Sequence, residues 1–172
     1  MSRSIVPKGG NDKVYTPLPL ACDIVSYFNP YGTVLEPCKG SGNFVKALDE
    51  QAQKNGLIRG IDWCEIDEGI DFFKYNDNEK VDWIITNPPF SQFRAFLQKS
   101  LEISDNIVYL SLVNAFFFKA RFRDIKESGF GFKEIVFIDT PPPPWPQFGI
   151  QMGVVHLQKN FTGDTKFTHG FR

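Results

Sequence analysis

The chain has 172 residues, 42% of them hydrophobic, and 18 are Phe. That length favours one domain with a core of its own. A formal net charge of −1 excludes a uniformly basic nucleic-acid binder, so any such contact must use a local basic face. The cysteines Cys22, Cys38 and Cys64 are far apart and form no Cys-x-x-Cys pair or Cys/His cluster. This argues against a metal and for a reduced, cytoplasmic setting. "MSRSIVPKGG" lacks the apolar centre of a signal peptide, and no apolar run is long enough to span a bilayer.

Residues 1–13 are polar, contain Gly9-Gly10 and read as a flexible segment. "YTPLPLACDIVSYF" reads as a helix, with Thr16 as N-cap and Pro17 at its first position. Leu20, Ile24, Val25 and Phe28 make its apolar stripe, and "NPYG" ends it. "TVLEP" is a short strand, followed by a glycine-rich turn and the helix "NFVKALDEQAQKN". "LIRGIDWCEI" is a second strand, "IDFF" a short third and "VDWIITN" a fourth. The helix "FRAFLQKSLE", the strand "NIVYLSLV", the helix "KARFRDIKES" and the strands "FKEIVFI" and "MGVVHLQ" complete the pattern. Alternation of strands and helices predicts a mostly parallel sheet with helices on both faces.

"LEPCKGSGNF" puts Gly40 and Gly42 directly after the first strand, with Glu36 before them and Phe44 after. Glycine lets the chain turn tightly and lets a ligand lie against the backbone. In open parallel sheets, ligands bind at the carboxyl ends of the strands. No Gly-Lys-Ser/Thr closes the loop, so it is not a phosphate loop. Glu65, near the end of the second strand, can accept both hydroxyls of a ribose; Asp67 is a rival and Asp62 a weaker one. Asp71, before Phe72-Phe73, can accept from an adenine amino group.

"NPPF", Asn87 to Phe90, follows the fourth strand. Each proline fixes its own φ and pushes the residue before it towards extended geometry, so Asn87 and Pro88 are both extended. Pro89 has no N–H, which leaves the Pro88 carbonyl less engaged in a local turn. The Asn87 side-chain oxygen and the Pro88 carbonyl can then meet the two hydrogens of an NH₂ group, with Phe90 offering a flat face for stacking. An exocyclic amine on a heterocycle is a poor nucleophile because its lone pair is delocalised. Two acceptors holding its hydrogens favour a pyramidal nitrogen, and no strong general base is then required.

On these residues the chain resembles the S-adenosylmethionine-dependent N6-adenine DNA methyltransferases, in a small single-domain form whose size suits a phage-borne enzyme. Asn87, Pro88, Pro89 and Phe90 match the family's catalytic motif, and Asn87 also faces the cofactor there. "LEPCKGSGNF" resembles the family's methionine-binding motif, carrying over Glu36, Pro37, Gly40, Gly42 and Phe44. Glu65 falls at the ribose acid, Asp71 and Phe72 at the cofactor adenine, and Tyr15, Thr16 and Pro17 at an upstream Tyr-Thr-Pro element. The resemblance implies a Rossmann-like class I methyltransferase fold: a mostly parallel seven-stranded sheet, an antiparallel last strand, and helices on both faces. It implies a catalytic domain over 14–160 and a C-terminal tail over 161–172, with no separate target-recognition domain. S-adenosylmethionine is the expected cofactor, and DNA the expected partner, with a second subunit or homodimer as a source of target recognition.

Two departures accompany the match. Lys39 stands where the family has a small or uncharged residue, and either faces the cofactor carboxylate or points outward. Only five residues separate Glu65 from Asp71, too few for a regular helix, so the sheet should be trimmed there. Lys119, Arg121, Arg123 and Lys126 offer a basic helix face for nucleic acid. "TPPPPWPQF" reads as a rigid loop between the last two strands, and the resemblance implies that it lines the target-base pocket, with Trp145 or Phe148 packing on an extruded base. His156, within an apolar strand, reads as structural. The alternatives are an RNA adenine or protein glutamine substrate, or a non-catalytic subunit of the same fold.

Overall fold

A computed structural model describes residues 13–76, 80–147 and 149–171. The sequence reading of residues 1–12 and of Phe148 lies outside them.

Seven strands form one sheet: β1 (Gly32–Glu36), β2 (Ile58–Trp63), β3 (Val81–Thr86), β4 (Ser104–Leu112), β5 (Phe130–Ile138), β6 (Met152–Lys159) and β7 (Lys166–His169), in the order β2-β1-β3-β4-β6-β5-β7. β1 pairs in parallel with β2 and β3, and β3 with β4. β6 runs antiparallel to both its neighbours, β4 and β5. This is the expected mixed sheet with helices on both faces.

The period of two along the strands builds both core layers. Ile107 and Tyr109 of β4 face one layer, with Ile135, Val155 and Leu157. Val108 and Leu110 face the other, with Val136, Ile138 and Val154. Helices α3 (Phe93–Ile103) and α4 (Lys119–Glu127) contribute Phe96, Leu97 and Ile125 to the first layer. Helices α1 (Leu18–Phe28) and α2 (Asn43–Asn55) contribute Ile24, Val25, Phe44 and Leu48 to the second.

Three local readings are corrected. Thr16 does not cap α1: the cap position is Pro17, with φ −57° and ψ 141°, and no side chain bonds the free N–H groups. The Pro17 carbonyl instead accepts the Ala21 N–H at 3.0 Å. "IDFF" is not a strand. Asp71 accepts the Phe73 N–H at 3.0 Å and starts a 3-10 turn over Phe72–Lys74. Phe72 is buried in the core by that turn, and β2 is left as the sheet edge. The trimming expected between Glu65 and Asp71 is thus present, as two 3-10 turns and a single Glu65–Ile70 bridge. Finally, the tail holds β7, which pairs in parallel with β5. Lys166 and Thr168 both donate to Glu134 of β5, at 2.9 and 2.7 Å, and Tyr27 donates to it at 2.5 Å.

Candidate active site

A cleft of about 520 Å³ opens at the carboxyl ends of β1, β2 and β3. Its walls include Tyr15, Pro37, Gly40, Glu65, Asp71, Phe72, Asn87, Pro88, Pro89 and Phe90, so the structure brings together residues spread over 76 positions of sequence. Lys13, Val14, Cys38, Phe73 and Phe96 also line it and went unread in the sequence. Phe73 had the clearest signal, since it directly follows Phe72.

The glycine loop is shaped by its contacts. Gly40 has φ +54°, and a Cβ there would meet the Tyr15 ring at 2.8 Å. Only glycine meets both demands without strain. Its N–H donates to Glu65 Oε2 at 2.7 Å, and the Asp67 N–H donates to Oε1 at 3.1 Å. Gly42, at φ +81°, stands at the cap of α2. Phe44 is 4% exposed and packs in the core layer of α1 and α2.

Glu36 is placed differently from the sequence expectation. It is 1% exposed and lies behind the loop, not on the cleft wall. Its Oε1 accepts from the Cys38 N–H at 3.0 Å and the Thr86 hydroxyl at 2.5 Å, joining the ends of β1 and β3. Burial pushes its carboxyl up to about 7, against the lowering effect of those donors. Burial, then the nearby Glu36, also pushes the Cys38 thiol well up.

Glu65 and Asp67 both line the cleft, but Asp67 is engaged by Lys13. Asp62 accepts the Tyr75 hydroxyl at 3.0 Å and is absent from the wall. Lys39 points outward: its Nζ lies 3.6 Å from the Trp63 ring centroid and pairs with Glu68 at 2.5 Å.

At the corner, Asn87 Nδ2 donates to the Val14 carbonyl at 2.9 Å. Asn87 Oδ1 is buried and accepts no hydrogen bond among the described residues. The local turn uses the Pro89 carbonyl, which accepts the Gln92 N–H at 3.1 Å, rather than that of Pro88. Phe90 stands half-buried on the wall beside it.

Residues 14–16 form a strap across these parts. Three consecutive carbonyls each accept from a different side chain: Val14 from Asn87, Tyr15 from Trp145 Nε1 at 2.9 Å, and Thr16 from Asn43 Nδ2 at 2.9 Å. Trp145 therefore departs from its expected place. It is 5% exposed and packed in the α1/α2 core layer, with its indole N–H spent on the strap. A large ring with one polar atom is buried well when that atom finds an acceptor, and no open face is left for a base. Of the basic helix, Lys119 and Arg123 are exposed, whereas Arg121 is half-buried and donates to the Ala115 carbonyl at 2.8 Å. His156 is 3% exposed and 3.2 Å from Asn106 Oδ1. Burial lowers it to about 4. It is structural, as expected.

No family profile and no curated protein sequence matches the chain. Solved structures do. A provisionally assigned class I S-adenosylmethionine-dependent methyltransferase from Listeria monocytogenes aligns over 96% of this chain and 69% of its own, with TM-score 0.74 and 11% identity. The type I restriction-modification methyltransferase subunit of Streptococcus thermophilus aligns over 91% of this chain, with TM-score 0.67 and 14% identity. A modification subunit of a provisionally assigned type I restriction enzyme from Vibrio vulnificus aligns over 94%, with TM-score 0.63 and 17% identity. The chain spans about half the length of the last two, 47% and 48%. The fold is thus that of the class I methyltransferases. Among the described residues, no helix is long and apolar enough to cross a membrane, and no acid, His and Cys cluster is placed to hold a metal.

Proposed function

We propose that this chain transfers a methyl group from S-adenosylmethionine to the N6 amine of adenine in DNA, with the base extruded into the cleft. The observation that carries the reading is the Asn87 amide. Its nitrogen is tied to Val14, so its oxygen is presented as a buried acceptor with no partner among the described residues. A buried acceptor left unpaired costs about 1–3 kcal/mol, and an incoming N–H donor relieves that cost. The restriction-system subunits among the similar structures are consistent with a DNA substrate.

The cleft residues fit the cofactor. The volume lies within the usual range for small-molecule sites, roughly 300–1,000 Å³. Glu65 and Asp71 place two carboxylates on the wall, and Gly40 keeps the loop backbone close. When bound, the cofactor supplies the methyl group. Glu65 would hold the ribose hydroxyls and Asp71 the adenine amine. Asn87 and the Pro88 carbonyl hold the target NH₂ and free its lone pair, while Phe90 stacks on the base. The proton leaves from a nitrogen that turns cationic as the bond forms, so water suffices as acceptor. Positioning does most of the work.

The test is incubation with labelled cofactor and DNA, RNA or protein, followed by nucleoside and amino-acid analysis. N6-methyladenine in DNA is the expected product. Label in RNA adenine or in glutamine would overturn the substrate. Asn87→Ala should lower turnover by at least about a hundredfold, roughly 2.7 kcal/mol, while calorimetry still detects cofactor binding. Near-normal turnover by Asn87→Ala would refute the mechanism.

A further inference from the structure

Beyond the corner, the 3-10 turn over Val113–Phe117 and helix α4 expose a second feature. Phe117, Phe118 and Phe122 are 49%, 59% and 39% exposed. Phe117 and Phe122 both lie nearly parallel to Phe132 of β5, at 13° and 18°, with ring centroids 5.2 and 5.9 Å away. Contiguous exposed aromatic rings are uncommon on a surface with no partner. The patch is also basic. The Arg121 guanidinium lies 5.1 Å from the Phe118 ring centroid and 4.7 Å from that of Phe93, three residues beyond Phe90. Lys126 Nζ lies 6.0 Å from the Phe122 ring.

The acids nearby are already engaged. Asp124 accepts from Arg94 at 2.8 Å and from Gln98 at 3.0 Å, and Glu127 faces Arg123 at 3.9 Å. Among the described residues Lys119, Arg121 and Lys126 make no ion pair. Flat apolar faces interleaved with cations that no carboxylate holds are the requirements of a sequence-tolerant single-strand site: bases stack on the rings and phosphates meet the cations.

We infer that Phe117, Phe118 and Phe122, with Lys119, Arg121 and Lys126, form a ledge that binds unpaired bases of single-stranded DNA next to the target adenine. The inference rests on the reading of the Asn87 corner as a base-binding site, for its placement but not for its test. Duplex DNA keeps its base faces stacked inside and offers none to the rings. A second copy is disfavoured because a face-to-face pair would set these cations against each other. The ledge grips strand rather than sequence.

The test is fluorescence anisotropy of the full chain with a dye-labelled, adenine-containing single-stranded DNA, the same sequence as a duplex, and the same sequence as RNA. Single-stranded DNA should bind at least tenfold tighter than the duplex, weakening as salt rises. Phe118→Ala with Phe122→Ala should weaken that binding tenfold or more, with the chain still folded and cofactor affinity unchanged, and Phe118→Trp should retain it. Equal or tighter binding of duplex or RNA would overturn the inference, as would unchanged binding by the double alanine variant. A dimer in sedimentation that the same variants dissolve, with no oligonucleotide bound, would also overturn it. Because anisotropy needs no methyl transfer, loss of catalysis and loss of the ledge are read separately.

Discussion

Asn87 differs from a generic acceptor because one end of its amide is committed to the Val14 carbonyl at 2.9 Å. Aspartate also supplies an acceptor, yet here it would set a carboxylate oxygen against that carbonyl. Asn87→Asp should therefore lose turnover by about ten- to a hundredfold, roughly 1.4–2.7 kcal/mol. The loss should fall in kcat rather than in cofactor affinity. Wild-type turnover by this variant would show that Val14 does not orient the amide. The rigidity of this corner was legible because two prolines restrict the backbone whatever surrounds them. Its contact with Val14 was not, since 73 residues separate the two positions. Glu36 shows the opposite case: an acid beside a glycine loop is legible as a residue type, but whether it faces ligand or core depends on packing.

The proline-rich segment before β6 serves the site through Trp145, which holds the strap from behind. Trp145→Phe keeps most of the buried ring and deletes one donor, leaving the Tyr15 carbonyl unpaired. The expected loss of stability is about 1–3 kcal/mol. Cofactor affinity and kcat should both fall even well below the melting temperature, because Tyr15 packs on Gly40 at the cleft. An unchanged affinity in this variant would reduce Trp145 to a core residue. Near-continuous apolar runs such as β3, β4 and β6 were readable because both faces are buried. β7 was not: it spans four residues, three of them exposed, and its hold on β5 comes from Glu134 and from Phe137, which stacks on Phe167 and His169.

Over the whole molecule, two buried groups set opposing pH slopes. Glu36 titrates at about 7 in the fold against 4.5 when unfolded, so the native state keeps a proton that the unfolded chain releases. Stability from this source is full below 4.5 and is lost as pH rises towards 7. His156 titrates at about 4 against 6.5, so its contribution is lost as pH falls through that window. Melting temperature should therefore climb as pH drops from 8 to about 6.5, and Glu36→Gln should flatten that limb. A wild-type profile already flat there would mean that Glu36 is ionised in the fold without penalty. The strap bears on how the cleft comes into being. Its three donors lie 27, 73 and 130 residues from the carbonyls they hold. No fragment ending before Trp145 can complete it, so the strap acts as an interlock. A half-made or locally unravelled chain keeps its cleft residues but not their alignment, and the proposed methyl transfer is confined to molecules whose distant parts have all arrived.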